Sequence, residues 1–127
     1  MRQPDFWLRM KRPPPPTERR LHIAVADHLR VGCKPGWWWS HIPSGEYRTK
    51  ETGALLTRMG LVPGMYDFLL INGAGLHHWM ELKRATGSRV SDNQYAFTEM
   101  LRLRGIPHAI VRGYDQAVAQ LKTWGAL

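Results

Sequence analysis

Three residues with reactive side chains are closely spaced in the middle of the chain. Glu81 and Lys83 are two positions apart, so on a β-strand their side chains point to the same face. Asp67 belongs to the preceding apolar run, 65–71, and the turn-forming segment 72–75 separates the two runs. This pattern predicts a β-hairpin in which Asp67 faces Glu81 near the strand ends.

Two carboxylates held together inside a sheet are costly unless a cation lies between them. At about 4 Å they repel by roughly 4 kcal/mol at an effective dielectric of about 20, a large fraction of a small domain's stability. Carboxylate oxygens suit Mg²⁺ or Mn²⁺, which polarise a phosphoryl oxygen and lower the pKa of a bound water. With Lys83 orienting that water or stabilising the phosphorane, the three residues predict phosphodiester hydrolysis. The alternative is that Asp67 ends a strand while Glu81 and Lys83 form a surface salt pair.

The charge of the chain indicates its class of partner. Its 18 Lys and Arg residues outnumber 10 Asp and Glu residues, which gives a formal net charge of +8 and a pI near 10.3. Such a surplus attracts polyanions and releases their counterions on contact, so nucleic acid is the expected partner. The alternative is that the charge only keeps the protein in solution.

Cysteine content and hydropathy indicate the compartment. The single cysteine, Cys33, excludes a disulfide within the chain and suits a reducing cytoplasm. No apolar run approaches the roughly 20 residues that span a bilayer, and the first residues contain no apolar signal core. We therefore expect a cytoplasmic protein with no membrane partner.

The start of the chain predicts an arm followed by a helix. A basic, proline-rich arm covers residues 1–16, and a helix is expected from Glu18 to about Val31 with Thr17 as its N-cap. The helix has an apolar stripe at four-residue spacing: Leu21, Val25 and Leu29. Glu18 lies at the end of this stripe near the core, although it could simply complement the helix N-terminus.

The remaining elements follow in the order strand, helix, hairpin, helix, strand, helix. Their predicted bounds are Trp37–Ile42, Thr52–Met59, the hairpin of 65–71 and 76–83, Asp92 to about Arg104 with Ser91 as its cap, Ile106–Val111, and about Asp115 to Trp124. Residues available for packing in the last two helices are Phe97, Met100, Leu101, Leu103, Val118 and Leu121. This order predicts an α/β or α+β sandwich on one mixed sheet, forming one domain over residues 17–127.

Three segments resemble the VRR-NUC branch of the PD-(D/E)xK nuclease superfamily. Met65–Ile71, His78–Lys83 and Ser91–Gln94 match the branch's Gly-x-Pro-Asp run, its Glu-apolar-Lys strand and its Ser-x-x-Gln helix start. The resemblance covers about residues 17–124. It implies an α/β, restriction-endonuclease-like core with a mixed central sheet flanked by helices. Tyr66 stands where the branch usually has proline, which supplies no ligand, so the departure does not change the chemistry.

The resemblance implies a role for each matching residue. Asp67 and Glu81 would be metal ligands, with the backbone carbonyl of Leu82 as a third, and Lys83 would be the catalytic lysine. Glu18 would reach the metal directly or through water. Gln94 would lie near the site, beside Lys83 or the phosphate. Arg48 and Lys50 would contact DNA phosphates. We expect Arg58 and Arg84 on the same nucleic-acid-binding surface, the alternative being that they are merely solvated.

Histidines and tryptophans supply weaker signals. The six histidines lack the spacing of a zinc site, and His41 is the candidate for tuning a proton transfer because it precedes the basic segment. The residues Trp37–Trp39 favour packing in the core or in an interface over stacking on unpaired bases.

We therefore predict a Mg²⁺- or Mn²⁺-dependent endonuclease. VRR-NUC domains found alone are similar to structure-specific nucleases, which implies branched DNA such as a four-way (Holliday) junction as the substrate. A two-fold homodimer would supply the second active site that symmetric cleavage of a junction needs. Two alternatives stay open, a DNA-binding module that does not cleave and a nuclease acting on RNA or single strands.

Overall fold

The computed structural model of the protein describes residues 16–43 and 49–127. In these ranges the helices are Pro16–Gly32 (α1), Lys50–Arg58 (α2), Asp92–Leu103 (α3) and Gly113–Trp124 (α4), and the strands are Trp38–His41 (β1), Phe68–Ile71 (β2), His77–Lys83 (β3) and His108–Arg112 (β4). Apart from Pro16, the predicted N-terminal arm lies outside the described residues, and so does Arg48. None of the described helices is both long and apolar enough to cross a bilayer.

Helix α1 begins two residues earlier than predicted. Its first residue is Pro16, a position that suits proline because the first N–H groups of a helix have no partner within it. Thr17 therefore lies inside the helix, and the prediction that it is the N-cap is wrong. The predicted apolar stripe is confirmed, since Val25 and Leu29 are fully buried and Leu21 packs against the same core.

A four-stranded sheet in the order β1-β2-β3-β4 forms the centre of the fold. The pairs β1–β2 and β2–β3 are antiparallel, and the pair β3–β4 is parallel, so the predicted mixed sheet is confirmed. The predicted hairpin is formed by β2 and β3. Asn72 closes its turn because its Oδ1 accepts hydrogen bonds from the N–H groups of Ala74 and Leu76, each at 2.9 Å.

Strand β2 is shorter than the apolar run that predicted it. It begins at Phe68 rather than at Met65. The ladder ends there because the N–H of Asp67 donates to the side chain of Glu81 and not to a neighbouring strand.

Helix α2 lies at the periphery and begins two residues before its predicted start. The Thr49 hydroxyl accepts a hydrogen bond from the Thr52 N–H at 3.0 Å and caps the helix. No residue of α2 is buried. Its basic residues are therefore available to solvent or to a ligand.

Helices cover both faces of the sheet, which confirms the predicted α/β architecture. On one face α1 and α4 enclose the main core, to which the strands contribute Phe68, Leu70, Met80, Leu82 and Val111. On the other face α3 forms a second cluster, made of Phe97 and Leu101 with Tyr66, Trp79 and Ile110. Because strand residues alternate, Leu82 lies in the main core while Glu81 and Lys83 point to the side of α3.

Two helix residues predicted to pack inward do so less than expected. Leu103 is 67% exposed, because it lies two residues after buried Leu101 and so about 200° around the helix. In α4 the buried residues are Ala117 and Leu121, four residues apart, whereas Val118 is only partly buried.

The three consecutive tryptophans divide between core and surface. Trp37 and Trp39 pack against the main core, as favoured from the sequence. Trp38, between them on the edge strand β1, points away and is 55% exposed. The alternation of the strand explains the division.

Candidate active site

The ends of β2 and β3 bring Asp67 and Glu81 together. Phe68 pairs with Met80 in the antiparallel ladder, so the residue before it, Asp67, lies opposite Glu81. The Asp67 N–H donates to Glu81 Oε1 at 3.1 Å, and the Leu82 N–H donates to Asp67 Oδ2 at 3.0 Å. Each carboxylate thus accepts a hydrogen bond from the main chain of the opposite strand, and the hairpin fixes the position of both.

The main chain of Asp67 is also held from the side of β1. Its carbonyl oxygen accepts hydrogen bonds from the Ile42 N–H at 2.6 Å and from His41 Nδ1 at 3.0 Å. Because a carbonyl can only accept, Nδ1 of His41 carries the hydrogen in this contact. His41 therefore positions Asp67, while its expected part in proton transfer stays a prediction.

Lys83 lies beside Glu81 on the same face of β3. Its Nζ is 3.4 Å from Glu81 Oε2, and the two side chains are 10% and 5% exposed. The alternative of a surface salt pair is therefore wrong. Because two buried charges lose their hydration, such a pair contributes little net stability, which favours a functional reason for its presence.

Gln94 connects the first turn of α3 to Glu81. Its Oε1 accepts a hydrogen bond from the Ser91 N–H, and Ser91 Oγ accepts one from the Gln94 N–H, both at 3.1 Å. This is a capping box. Gln94 Nε2 donates to Glu81 Oε2 at 2.7 Å. The hydrogen bonds of this amide thus go to Ser91 and Glu81 rather than to Lys83, its expected neighbour, and they orient the Glu81 carboxylate.

A glycine lets the loop before β2 press against the same helical turn. Gly64 has φ +85°, and a Cβ there would lie 2.3 Å from the carbonyl carbon of Asn93 and 2.7 Å from the nitrogen of Gln94. Only glycine allows this approach and this conformation together. The turn therefore seats the segment that leads to Asp67 against the start of α3.

His22 is the site residue to which the sequence pattern assigned no role. Its Nε2 lies 3.6 Å from Asp67 Oδ2, and the two side chains are 22% and 14% exposed. Its ring meets that of His41 edge-on, with centroids 5.5 Å apart. A signal existed, because His22 follows Glu18 by one helical turn and so shares the side of α1 expected near the site.

Glu18, the acid expected from α1, lies in the first turn of that helix and is partly exposed. Over residues 16–43 and 49–127, no three His, Cys, Asp or Glu side chains are grouped so as to hold a metal ion. A cation at Asp67 and Glu81 would therefore need other donors, such as the Leu82 carbonyl and water. The role of Glu18 stays a prediction.

Burial and the neighbouring Asp67 carboxylate raise the pKa of Glu81 to about 8, against the opposing effect of Lys83. Burial also raises the pKa of Asp67, although His22, the Leu82 N–H and His41 lower it in part. Without a cation, the pair therefore retains a proton at neutral pH. A cation has to displace that proton in order to bind.

The donor set fits a hard divalent cation. Carboxylate oxygens, here from Asp67 and Glu81, are the ligands that Mg²⁺ and Mn²⁺ favour. A cation between them would offset the repulsion that raises the pKa of Glu81. The backbone carbonyl of Leu82, next in the chain, is a donor of the same kind.

Three of the predicted nucleic-acid-binding residues lie within the described ranges, on α2 and directly after β3. Lys50 and Arg58 are the first and last residues of α2, and both are exposed. Arg84 directly follows β3, and its Nη2 donates to the Gly87 carbonyl at 3.1 Å. Arg84 is therefore adjacent to the carboxylate pair in the chain, while Lys50 and Arg58 could contact a ligand from the periphery.

Comparisons with known proteins add evidence on the fold. No protein-family model and no curated protein matches the chain. A solved structure described as a VRR_NUC domain protein is 18% identical, with a TM-score of 0.69 over 87% of this chain and 89% of its own. Another, described as a VRR_NUC domain, is 18% identical, with a TM-score of 0.58 over 84% of this chain and 96% of its own. The chain has the VRR-NUC fold.

The resemblance inferred from the sequence is thus confirmed at the level of the fold. An identity of 18% speaks to the arrangement of helices and strands and not to shared chemistry. In this VRR-NUC fold the β2–β3 hairpin carries Asp67, Glu81 and Lys83, and the first turn of α3 carries Gln94. The chemistry has to be argued from these side chains.

Proposed function

We propose that this protein is a metal-dependent nuclease that hydrolyses phosphodiester bonds. The observation that carries the proposal is the buried Glu81–Lys83 pair beside Asp67, in which the pKa of Glu81 is raised to about 8. Strongly perturbed titratable groups cluster at functional sites because their surroundings cost stability. The sequence motifs and the VRR-NUC fold support the same conclusion.

Asp67, Glu81 and the backbone carbonyl of Leu82 would hold Mg²⁺ or Mn²⁺. Such an ion, when bound, polarises a phosphoryl oxygen and lowers the pKa of a bound water. The chain's own contribution is positioning. The hairpin and Gln94 fix the two carboxylates, and the Lys83 ammonium is placed to orient the attacking water or to stabilise charge on the phosphate.

The proposed substrate is DNA, preferably branched. The net charge of +8 favours a polyanion, and Arg48, Lys50, Arg58 and Arg84 are the proposed phosphate contacts. A four-way junction has two equivalent strands to cut, so we propose that a two-fold homodimer presents two copies of the site to it.

Cleavage assays on four DNA and RNA substrates test the proposal. A labelled four-way junction, a flap, a linear duplex and an RNA are each incubated with Mg²⁺, Mn²⁺ or EDTA. We expect metal-dependent cleavage that is fastest on the junction. Lys83→Met, which keeps the length of the side chain but removes its charge, should bind the junction without cutting it. Lys122→Met, on the exposed side of α4, is the matched control and should cut normally.

Each other outcome has a definite meaning. Binding of the junction without cleavage by the wild type in either metal would contradict the nuclease proposal and favour a DNA-binding module. Faster cleavage of RNA would keep the chemistry and replace the substrate.

A further inference from the structure

The imidazole of His22 presents a buried nitrogen whose bonding capacity the described residues do not use. Its Nε2 has no hydrogen-bond partner in the ranges 16–43 and 49–127, although it lies 3.6 Å from Asp67 Oδ2. A buried polar atom without a protein partner calls for an external one. The other such atom in those ranges is Nε of Arg84, which belongs to a guanidinium and cannot ligate a cation.

The ring of His22 is held in a fixed position. It packs edge-on against His41, and its centroid lies 5.9 Å from that of Phe68, the buried first residue of β2. Phe68 follows Asp67 directly, and α1 packs on the same core as Phe68. His22 and Asp67 are therefore held by elements that share one core, so the separation of their donor atoms is preorganised.

We propose that Nε2 of His22 and the carboxylate of Asp67 ligate the same divalent cation. The proposal rests on the proposed nuclease function and adds to it a nitrogen ligand from α1. Two ligands about 2.1 Å from one ion lie about 3.0 Å apart in octahedral and about 3.4 Å apart in tetrahedral geometry. The observed separation of 3.6 Å between these two atoms is close to both. Because the described residues do not group three His, Cys, Asp or Glu side chains around a metal position, the ion would have to draw Glu81 and this pair together as it binds.

A nitrogen ligand determines which cation the site prefers. Imidazole is a ligand for transition metals, and both Mg²⁺ and Mn²⁺ favour carboxylates, carbonyls and water. Of these two ions, the transition metal Mn²⁺ accepts a nitrogen ligand more readily. With His22 as a ligand, the site should discriminate in favour of Mn²⁺. The competing explanation is a protonated His22 that forms an ion pair with Asp67 and stays off the cation, in which case all protein ligands are oxygens.

Pulsed electron paramagnetic resonance of the Mn²⁺-loaded full chain separates the two explanations. A histidine nitrogen bound to Mn²⁺ produces ¹⁴N modulation of the spin echo, and oxygen ligands do not. We expect this modulation in the wild type and its loss in His22→Gln. His28→Gln, six residues later on α1, should retain it. Mn²⁺ affinity, measured by calorimetry, should fall at least about tenfold in His22→Gln, and Mg²⁺ affinity should change much less.

The outcomes distinguish this inference from the function on which it rests. If Mn²⁺ binds and supports cleavage but the wild type shows no ¹⁴N modulation, the ligand role of His22 is overturned and the nuclease proposal stands. If modulation survives in His22→Gln, another nitrogen is the ligand and the inference is again overturned. If no cation binds at all, both proposals fail. Should His22→Gln not fold, His22→Asn takes its place, and modulation that survives in that variant overturns the inference.

Discussion

Two glutamate–base pairs in this molecule behave in opposite ways. Glu99 and Arg102 lie one turn apart on the surface of α3, with Oε1 and Nη2 2.6 Å apart and side chains 55% and 61% exposed. On β3, Glu81 Oε2 lies 3.4 Å from Lys83 Nζ, and both residues are buried. The hydrogen bond from Arg102 lowers the pKa of Glu99, whereas burial raises that of Glu81 to about 8 despite the lysine.

The difference shows that the exposure of an ion pair to water, and not the distance between its charges, decides whether the pKa of its glutamate is raised or lowered. Water screens the exposed pair, so its short distance contributes little. In the buried pair the loss of hydration and the second carboxylate, Asp67, outweigh the attraction of Lys83. A cation would offset the repulsion between Asp67 and Glu81, and no such second carboxylate raises the pKa of Glu99. The exposed pair therefore provides a control in which the same Glu→Gln substitution can be made.

The largest expected effect is on cleavage. Glu81→Gln removes a proposed metal ligand and should lower the rate at saturating Mn²⁺ by at least about 1000-fold, equivalent to several kcal/mol of lost transition-state stabilisation. Glu99→Gln should leave the rate within about twofold, since surface charges away from a site contribute little. Single-turnover rates on the preferred substrate measure both. Equal losses of cleavage rate in the two variants would contradict a specific role for the buried glutamate.

A second prediction compares two glycines, Gly64 in the close packing near the buried pair and Gly75 in the exposed hairpin turn. Gly64 and Gly75 have the same φ of +85°, but a Cβ at Gly64 would collide with the main chain of Asn93, whereas one at Gly75 meets nothing within 4 Å. Gly75→Ala should cost about 1 kcal/mol, and Gly64→Ala should cost at least about 3 kcal/mol because overlap adds to backbone strain. Urea unfolding measures both, and similar costs would show that α3 does not depend on this approach.

Stability of the metal-free protein should depend on pH through Glu81. The folded state holds this proton up to about pH 8, while the ordinary pKa is 4.5. The folded state therefore binds more protons over this window, and the resulting stability is present below 4.5 and is lost as the pH rises towards 8. Between about pH 5.5 and 8.5 in EDTA, the Tm of the wild type should fall by at least about 5 °C more than that of Glu81→Gln. Parallel curves for the two proteins would contradict the raised pKa, and Glu99→Gln should follow the wild type.

The smallest expected effect distinguishes two glutamines that accept main-chain hydrogen bonds at helix starts. Gln116 accepts one from the Arg112 N–H at 2.8 Å, while Gln94 accepts one from Ser91 and also donates to Glu81. Each Gln→Leu substitution should cost about 1 kcal/mol of stability. Only Gln94→Leu should also slow cleavage, by about tenfold. A similar slowing in Gln116→Leu would show that the effect reflects stability and not the orientation of Glu81.

The parts of the fold predictable from sequence are those set by local patterns. The apolar stripe of α1 and the Asn72 turn with its two flanking runs depend on near neighbours, and they predicted the helix and the hairpin. The order of the elements predicted the mixed sheet. Element ends were less predictable, because partners outside the local pattern set them. Strand β2 begins only at Phe68, since the N–H of Asp67 binds a side chain 14 residues away.

The same distinction applies to the candidate site. Asp67, Glu81 and Lys83 come together through one hairpin, so their proximity followed from short-range pairing. The approach of His22 depends on how α1 crosses the sheet, and the contact of Gly64 with Asn93 depends on where α3 packs. The spacing from Glu18 indicates the side of α1 on which His22 lies, but no local spacing encodes its distance from Asp67 or the contact of Gly64 with Asn93.

The most direct test of the central claim is the number of protons released when Mn²⁺ binds at pH 7, obtained by titration calorimetry in buffers of different ionisation enthalpy. If the cation binds at Asp67 and Glu81, it must displace the proton that the raised pKa of Glu81 retains, so close to one proton should be released per ion. Glu99→Gln should release the same number. Binding without proton release, or release that persists in Glu81→Gln, would contradict the assignment of the carboxylate pair as the cation site.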